Sequence, residues 1–371
     1  MDGAQIIDFN ASESELLLKN TTYNELNNSN RSDDSVLPNN VHVFLRKYFD
    51  DDKISEFTVL RSRVINDVES LNVGYGILNL TRFNNCLRIN KYFEAINECL
   101  TNGQFYVACF ETLATRKSRL FSRYGKFIGW PFYYGDFILN RVLSKLNWTK
   151  AFYFWMTEGK NRVVSLTEGL GRLVSCGFDI IDFTTIDNHT FVITKKVSEP
   201  MYDMEPTYGA LVRLRRIGKG GKLFSVYKFR TMYPYSEYVQ DFIFKQHDLQ
   251  EGGKLKDDYR VTSWGRLFRR YWIDEIPMLI NWLKGDMKLV GVRPLSQHYF
   301  SLYPQDMQQL RTMVKPGLVP PFYVDMPVTL DEIIESGREY LKRYMDAPLR
   351  TDIYYFIMAF YNILFKKARS K

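Results

Sequence analysis

Trp272-Ile273-Asp274-Glu275-Ile276-Pro277-Met278-Leu279-Ile280-Asn281-Trp282-Leu283-Lys284-Gly285-Asp286 is the stretch on which the reading of this chain turns. Ile276, Leu279, Ile280 and Leu283 recur at i, i+3, i+4 and i+7, so the spacing predicts one apolar face of a helix. Asp274 stands where an N-cap belongs, Pro277 falls in the first turn, and Gly285 follows the last apolar residue as a stop. Two adjacent carboxylates are thereby predicted at a helix N-terminus, where unpaired N–H groups favour the ionised form and attract phosphate. Such a pair is ordinarily a cap beside a solvated acid. A carboxylate nucleophile directed at a phosphoryl group needs the same setting.

The residues around the pair shift the balance. Phe224-Ser225-Val226-Tyr227-Lys228-Phe229-Arg230-Thr231-Met232 alternates like a strand, and a period of two puts Lys228 and Arg230 on one face. Arg266, Arg269 and Arg270 lie at i, i+3 and i+4 just before the carboxylates and form a second cationic face. Arg293 follows in Leu289-Val290-Gly291-Val292-Arg293-Pro294. Carboxylates among this many cations point to a site that handles phosphate charge.

In their order and spacing these pieces, with Val314-Lys315-Pro316-Gly317, resemble the bacterial sugar transferases, the monotopic phosphoglycosyl transferases. The resemblance runs over about residues 209 to 371. It implies transfer of a sugar-1-phosphate from a nucleotide diphosphate sugar, expected to be a UDP-sugar, to polyprenyl (undecaprenyl) phosphate. Mg²⁺ would assist, at the cytoplasmic face of the bacterial inner membrane, in surface polysaccharide synthesis. By the same resemblance Asp274 is the nucleophile of a covalent phospho-aspartyl intermediate, and Glu275 holds Mg²⁺ or orients the acceptor. Lys228, Arg230 and Arg293 would neutralise phosphoryl oxygens, Arg266 and Arg270 would grip the lipid phosphate, and Glu339 would supply a second metal contact.

Two departures stand out. Where the family continues from Pro-Gly into Thr-Gly-Trp, this chain has Pro316-Gly317-Leu318-Val319-Pro320-Pro321. Where the family places a re-entrant membrane helix before the catalytic strand, residues 186–206 are polar and broken. No run of uncharged apolar residues reaches the length of a spanning helix, and the acidic N-terminal stretch does not read as a signal peptide. Membrane contact is therefore expected elsewhere. Between Phe127 and Trp155 lie 11 aromatic residues interrupted by Asp136, Arg141, Lys145 and Lys150. This insertion, 124–156, suits either the headgroup region of a membrane or an aromatic core. At the C-terminus Ile353, Phe356, Ile357, Phe360 and Leu364 form a stripe followed by Lys366, Lys367, Arg369 and Lys371, the pattern of a membrane-surface helix or of a core helix with a solvated tail.

The 371 residues suffice for two domains, and 45% apolar content marks a globular chain. A net charge of +8 calls for an anionic partner, but the basic clusters are dispersed and carry no nucleic-acid-reading motif. The 4 cysteines show no metal-ligand spacing and the 4 histidines no clustering, so a zinc site is not expected.

Residues 1–40 are rich in Asn, Ser, Asp and Glu and read as a flexible tail. From 41 to 200 the pattern is α/β: a helix over Arg88 to Leu100, a strand over Phe105 to Phe110, and a helix from Leu166 to Cys176 closed by Gly177. Two strands follow around an Asp187-Asn188 turn. This alternation is similar to the later half of a Rossmann-like methyltransferase domain, with Gly74-Tyr75-Gly76 the nearest candidate for a cofactor loop. The fold class expected is α/β, with a Rossmann-like N-terminal domain and an α+β catalytic domain over 205–371. Competing functions are a methyltransferase-like enzyme and an inactive membrane-surface scaffold.

Overall fold

The computed structural model describes residues 37–146, 148–201, 209–240, 242–243 and 258–365. It divides into two compact units: among the described residues, the first holds 37–201, 233–243 and 258–260, and the second holds 209–232 and 261–365. The expected tail lies outside the described residues up to position 36, as does the basic stretch from Lys366 to Lys371.

The first unit is built on a five-stranded sheet in the order β1-β2-β3-β5-β4. β1 (Phe57–Leu60), β2 (Gly76–Arg82) and β3 (Phe105–Phe110) run parallel. β4 (Phe178–Ile186) and β5 (His189–Lys196) form a hairpin, with β5 antiparallel to β3. The hairpin turns at Asp187 and Asn188, both at positive φ (48° and 63°), a conformation short amide and carboxylate side chains tolerate. Helix α1 (Ile89–Cys99) joins β2 to β3 with Ile89, Tyr92, Phe93 and Ile96 buried. This unit is a mixed α/β fold in which, among the described residues, parallel pairing is confined to β1, β2 and β3. Gly74 and Gly76 are packed closely on neighbouring backbone: a Cβ at Gly76 would lie 2.5 Å from the Phe105 carbonyl oxygen, and one at Gly74 2.4 Å from that of Glu56.

Helix α2 (Leu113–Phe137) is a folded-back pair of arms. Gly125 breaks it at φ 71°, ψ 172°, and the Arg116 guanidinium meets Asp136 at 2.6 Å. A straight helix would separate residues twenty positions apart by about 30 Å. Phe121 packs edge-on against Trp130 at 5.1 Å, and Tyr124 stacks on Phe132 at 4.4 Å. The aromatic insertion therefore divides: Trp130 and Tyr133 zip the arms together, while Phe127 at the tip is 97% exposed. Trp148 and Trp155, the latter on α3 (Lys150–Thr157), are also exposed. Helix α4 (Leu166–Ser175) is capped by Ser165 and closed at Gly177, where a side chain would strike the Ser198 carbonyl oxygen.

In the second unit β6 (Leu211–Ile217) and β7 (Leu223–Phe229) form an antiparallel hairpin. Their Gly218-to-Gly221 turn is exposed at Lys219. β8 (Lys288–Val290) and β9 (Gly317–Val319) pair in parallel, pressed so close at Gly291 and Gly317 that a Cβ on Gly317 would sit 2.1 Å from the Gly291 nitrogen. That approach accounts for glycine in both the Val-Gly-Val-Arg and Lys-Pro-Gly segments.

The last two helices of the unit are α8 (Leu330–Asp346), with the Thr329–Glu332 capping box, and α9 (Pro348–Phe365). On α9 the buried residues are Thr351, Tyr355, Ala359 and Asn362. Of the stripe read in the sequence, Ile353, Ile357, Phe360 and Leu364 are exposed, while Phe356 packs against the core cluster that holds Tyr355. Among the described residues no helix is long and apolar enough to cross a membrane.

Candidate active site

The dyad sits in a different local structure from the predicted one. Ile273–Met278 forms a 3₁₀ turn entered through Trp272 in the left-handed region (φ 53°), and the α-helical part that follows, α6 (Leu279–Leu283), is short. Asp274 is therefore inside the first turn and makes no side-chain cap. Pro277 supplies the reason: it has no N–H to donate, and its ring would collide with the carbonyl four residues back in an α-helix. Trp272 is held by its indole N–H, which donates to the Tyr323 hydroxyl at 2.8 Å.

β7 places Lys228 against this turn. The Lys228 ammonium donates to Glu275 Oε1 at 2.6 Å, and the Arg293 guanidinium stands 3.9 Å from the same oxygen. Asn281, fully buried, locks α6 to β7: its amide donates to the Ser225 carbonyl and its oxygen accepts from the Tyr227 N–H. Val226, Met278 and Met287 pack beneath.

Asp274 is buried, and burial raises its carboxyl above the ordinary value; the Glu275 charge adds to this, while Lys228 and Arg269 pull it back. Burial likewise lowers the Lys228 ammonium, with Glu275 opposing. A half-buried acid pair facing cations is an environment in which an ionised carboxylate is poorly solvated and correspondingly reactive.

The three arginines before the dyad lie on α5 (Ser263–Arg270). Arg269 is the one whose charge acts on Asp274, and its Nε donates to the Thr231 hydroxyl at 3.0 Å. Arg266 and Arg270 are, like Arg269, exposed residues of the same helix. The sequence reading assigned roles to those two and passed over Arg269, although the i+3 spacing was the available clue. Thr231 is a junction: its carbonyl accepts from the Thr262 N–H, and Gly265 has no room for a Cβ, which would lie 2.0 Å from that oxygen.

Arg230 falls one residue beyond β7, and its Nε donates to the Gly209 carbonyl at 2.8 Å, tying down the approach to β6. Arg293 is held from behind by Arg311 on α7 (Gln305–Thr312): the Arg311 guanidinium donates to the Arg293 carbonyl at 2.5 Å. The Arg293 guanidinium lies over the Phe322 ring at 5.8 Å.

Glu339 pairs with Arg343 one turn along α8, and both are exposed. Among the described residues no group of three or more His, Cys, Asp or Glu is placed to hold a metal ion. Asp274 and Glu275, close enough for one charge to raise the other, still form a donor pair suited to Mg²⁺, which takes one or two carboxylates and fills its shell with phosphate oxygens and water.

Residues 191–366 match the model of the bacterial sugar transferase family. The match begins within β5, earlier than the resemblance read from the motifs. The chain is 37% identical over 157 residues to an uncharacterized sugar transferase, EpsL, of Bacillus subtilis, covering 42% of this chain and 64% of that protein. It is 39% identical over 109 residues to the undecaprenyl-phosphate galactose phosphotransferase of Salmonella typhimurium, covering 28% and 23%. An N-acetylgalactosaminephosphotransferase acting with UDP-N-acetylgalactosamine and undecaprenyl phosphate, from Aeromonas hydrophila, is 37% identical over 105 residues, covering 28% and 22%. The chain spans less than two thirds of the length of these relatives.

Proposed function

We propose that the chain is a glycosyl-1-phosphate transferase that moves a sugar phosphate from a nucleotide diphosphate sugar to polyprenyl phosphate. The observation that carries this reading is the buried Asp274, joined to Glu275 and faced by Lys228 and Arg269. Relatives named as undecaprenyl-phosphate phosphotransferases support the acceptor, and a name specifying a UDP-sugar supports the donor.

In the first half-reaction an Asp274 carboxylate oxygen attacks the phosphorus that bears the sugar. The P–O–P anhydride bond breaks and the nucleoside monophosphate leaves with the bridging oxygen. In the second, an oxygen of the lipid phosphate attacks the same phosphorus, the acyl-phosphate bond breaks, and Asp274 is restored as the carboxylate. Lys228, Arg269 and Arg293 stabilise charge on the phosphoryl oxygens, while the Lys228–Glu275 pair keeps the ammonium in place. Mg²⁺, when bound, would be held by Glu275 with Asp274 and would neutralise phosphate oxygens.

The reaction would take place at a membrane surface, on the cytoplasmic side of the inner membrane. Support comes from two exposed apolar features: the hairpin tip at Phe127 and Ile128, and the outward stripe on α9. The test is incubation with UDP-galactose or UDP-N-acetylgalactosamine and undecaprenyl phosphate. UMP release with formation of a lipid-linked diphosphosugar is the expected result; the absence of both products across a panel of nucleotide sugars would remove the assignment.

A further inference from the structure

The first unit contains a cavity of about 790 Å³ that the transferase reaction does not use. This is the size range of sites for nucleotide-sized ligands. Its wall carries the cations Arg88, Lys91, Lys145, Lys150, Arg162 and Arg172, against the carboxylates Glu94, Glu168 and Glu237.

The carboxylates are heavily subscribed. Glu94 pairs with Lys91 at 2.6 Å. Glu168, in the floor, is shared by Arg141 at 2.8 Å and by Lys145 and Arg172 at 2.9 Å each. Arg172 is buried and Lys145 and Arg162 are partly buried, so an anion entering the cavity would offset positive charge that water solvates poorly. Burial, with Arg141 next in effect, pushes the Lys145 ammonium down to about 7, and burial lowers the Arg162 guanidinium to about 10. Arg162 spends its Nη on the Cys86 and Leu87 carbonyls, and its Nε is buried without a hydrogen-bond partner.

Two further features face the same space. Helix α1 begins at its wall with Ile89, Asn90 and Lys91, with no side-chain cap and no acid in the first turn, so its first N–H groups lack a side-chain acceptor. Phe154, Tyr235 and Tyr238 supply aromatic faces, and the Arg172 guanidinium lies 4.6 Å from the Tyr235 ring centre.

We propose that this cavity binds a nucleotide, with its phosphates held by Lys145, Lys150, Arg162 and the start of α1, and its base against Phe154 and the Tyr235–Tyr238 pair. The site lies wholly within the first unit, separate from Asp274, and does not depend on the transferase reading. Guanidinium and ammonium groups around a helix start suit a diphosphate, and aromatic rings beside them suit a planar base.

The test is calorimetric titration of the full chain with ADP, GDP and UDP, with pyrophosphate as a control lacking the base. At least one nucleotide should bind saturably and more tightly than pyrophosphate. Arg162→Gln should weaken it at least tenfold. Lys150→Glu, at an exposed rim position that does not support the core, should weaken it by a similar factor while thermal melting stays unchanged. Lys228→Met should leave it within twofold. No saturable binding of any of the three overturns the proposal, as does binding that survives both cavity variants or that disappears in Lys228→Met. UMP release from a UDP-sugar reports on the dyad independently, so failure of one reading is distinguishable from failure of the other.

Discussion

Lys228 and Glu275 form a half-buried ion pair at 2.6 Å, and each restrains the other beside Asp274. The pair is costly to break, because removal of one partner leaves the other charge poorly solvated. It also sets the electrostatics of Asp274, since Lys228 lowers the carboxyl and Glu275 raises it.

Asp274→Asn should abolish turnover by several orders of magnitude without unfolding the chain. The carboxylate is not a cap, so the amide loses no capping bond, and the stability change should be about 1 kcal/mol or less. UMP release and a thermal melt check both halves of this expectation. Near-normal activity would remove Asp274 as nucleophile.

Glu275→Gln should impair turnover and alter the Mg²⁺ dependence. The Lys228 ammonium loses its charged partner, so a destabilisation of about 1–3 kcal/mol is expected. An unchanged Mg²⁺ titration at full activity would show that Glu275 has no part in catalysis. Denaturant unfolding supplies the stability measurement.

The pH profile follows from the raised Asp274 carboxyl. The nucleophile must be ionised, so the acid limb of kcat/KM should lie above the ordinary aspartate range. In the residual activity of Glu275→Gln that limb should move to lower pH, and in Lys228→Met to higher pH. Folding stability carries the matching sign. The Asp274 contribution is fully present below the unfolded-state value and is lost as pH rises through the higher folded value.

Phe127→Asp with Ile128→Asp tests the hairpin tip. Phe127 is 97% exposed, so the change should leave the melting temperature within about 2 °C while reducing sedimentation with vesicles. The binding lost should be the salt-resistant part, because buried apolar area is insensitive to ionic strength whereas basic residues near an anionic surface are screened. Unchanged sedimentation would locate membrane contact away from the tip, with the α9 stripe the next surface to alter.

Sequence periodicity disclosed the α/β pattern of the first unit, the Asp187-Asn188 turn and the glycine stop of α4, because each depends on local backbone preference. It also brought together the dyad, Lys228 and Arg293, through motif order. The fold-back of α2 was decided by tertiary structure: Gly125 and Pro131 both mark possible breaks, and the Arg116–Asp136 pair with the Phe121–Trp130 contact selects Gly125. Orientation was not legible on α9, where a helical stripe has the same period whether it faces a core or a lipid, and the inward face is held by Tyr355, Ala359 and Asn362.

The sequence by itself thus nominated candidates for the site: a carboxylate pair, a strand lysine and a set of arginines in family order, since these are properties of linear spacing. Tertiary structure decided what they do to one another. The 3₁₀ turn withdraws Asp274 from the capping position into a buried one, the packing of α5 on Thr231 brings Arg269 into its field, and Glu339 pairs with Arg343 at an exposed position. Burial and the direction of a side chain depend on residues distant in the chain, so local spacing does not encode them, and the charge state of a carboxylate depends on both.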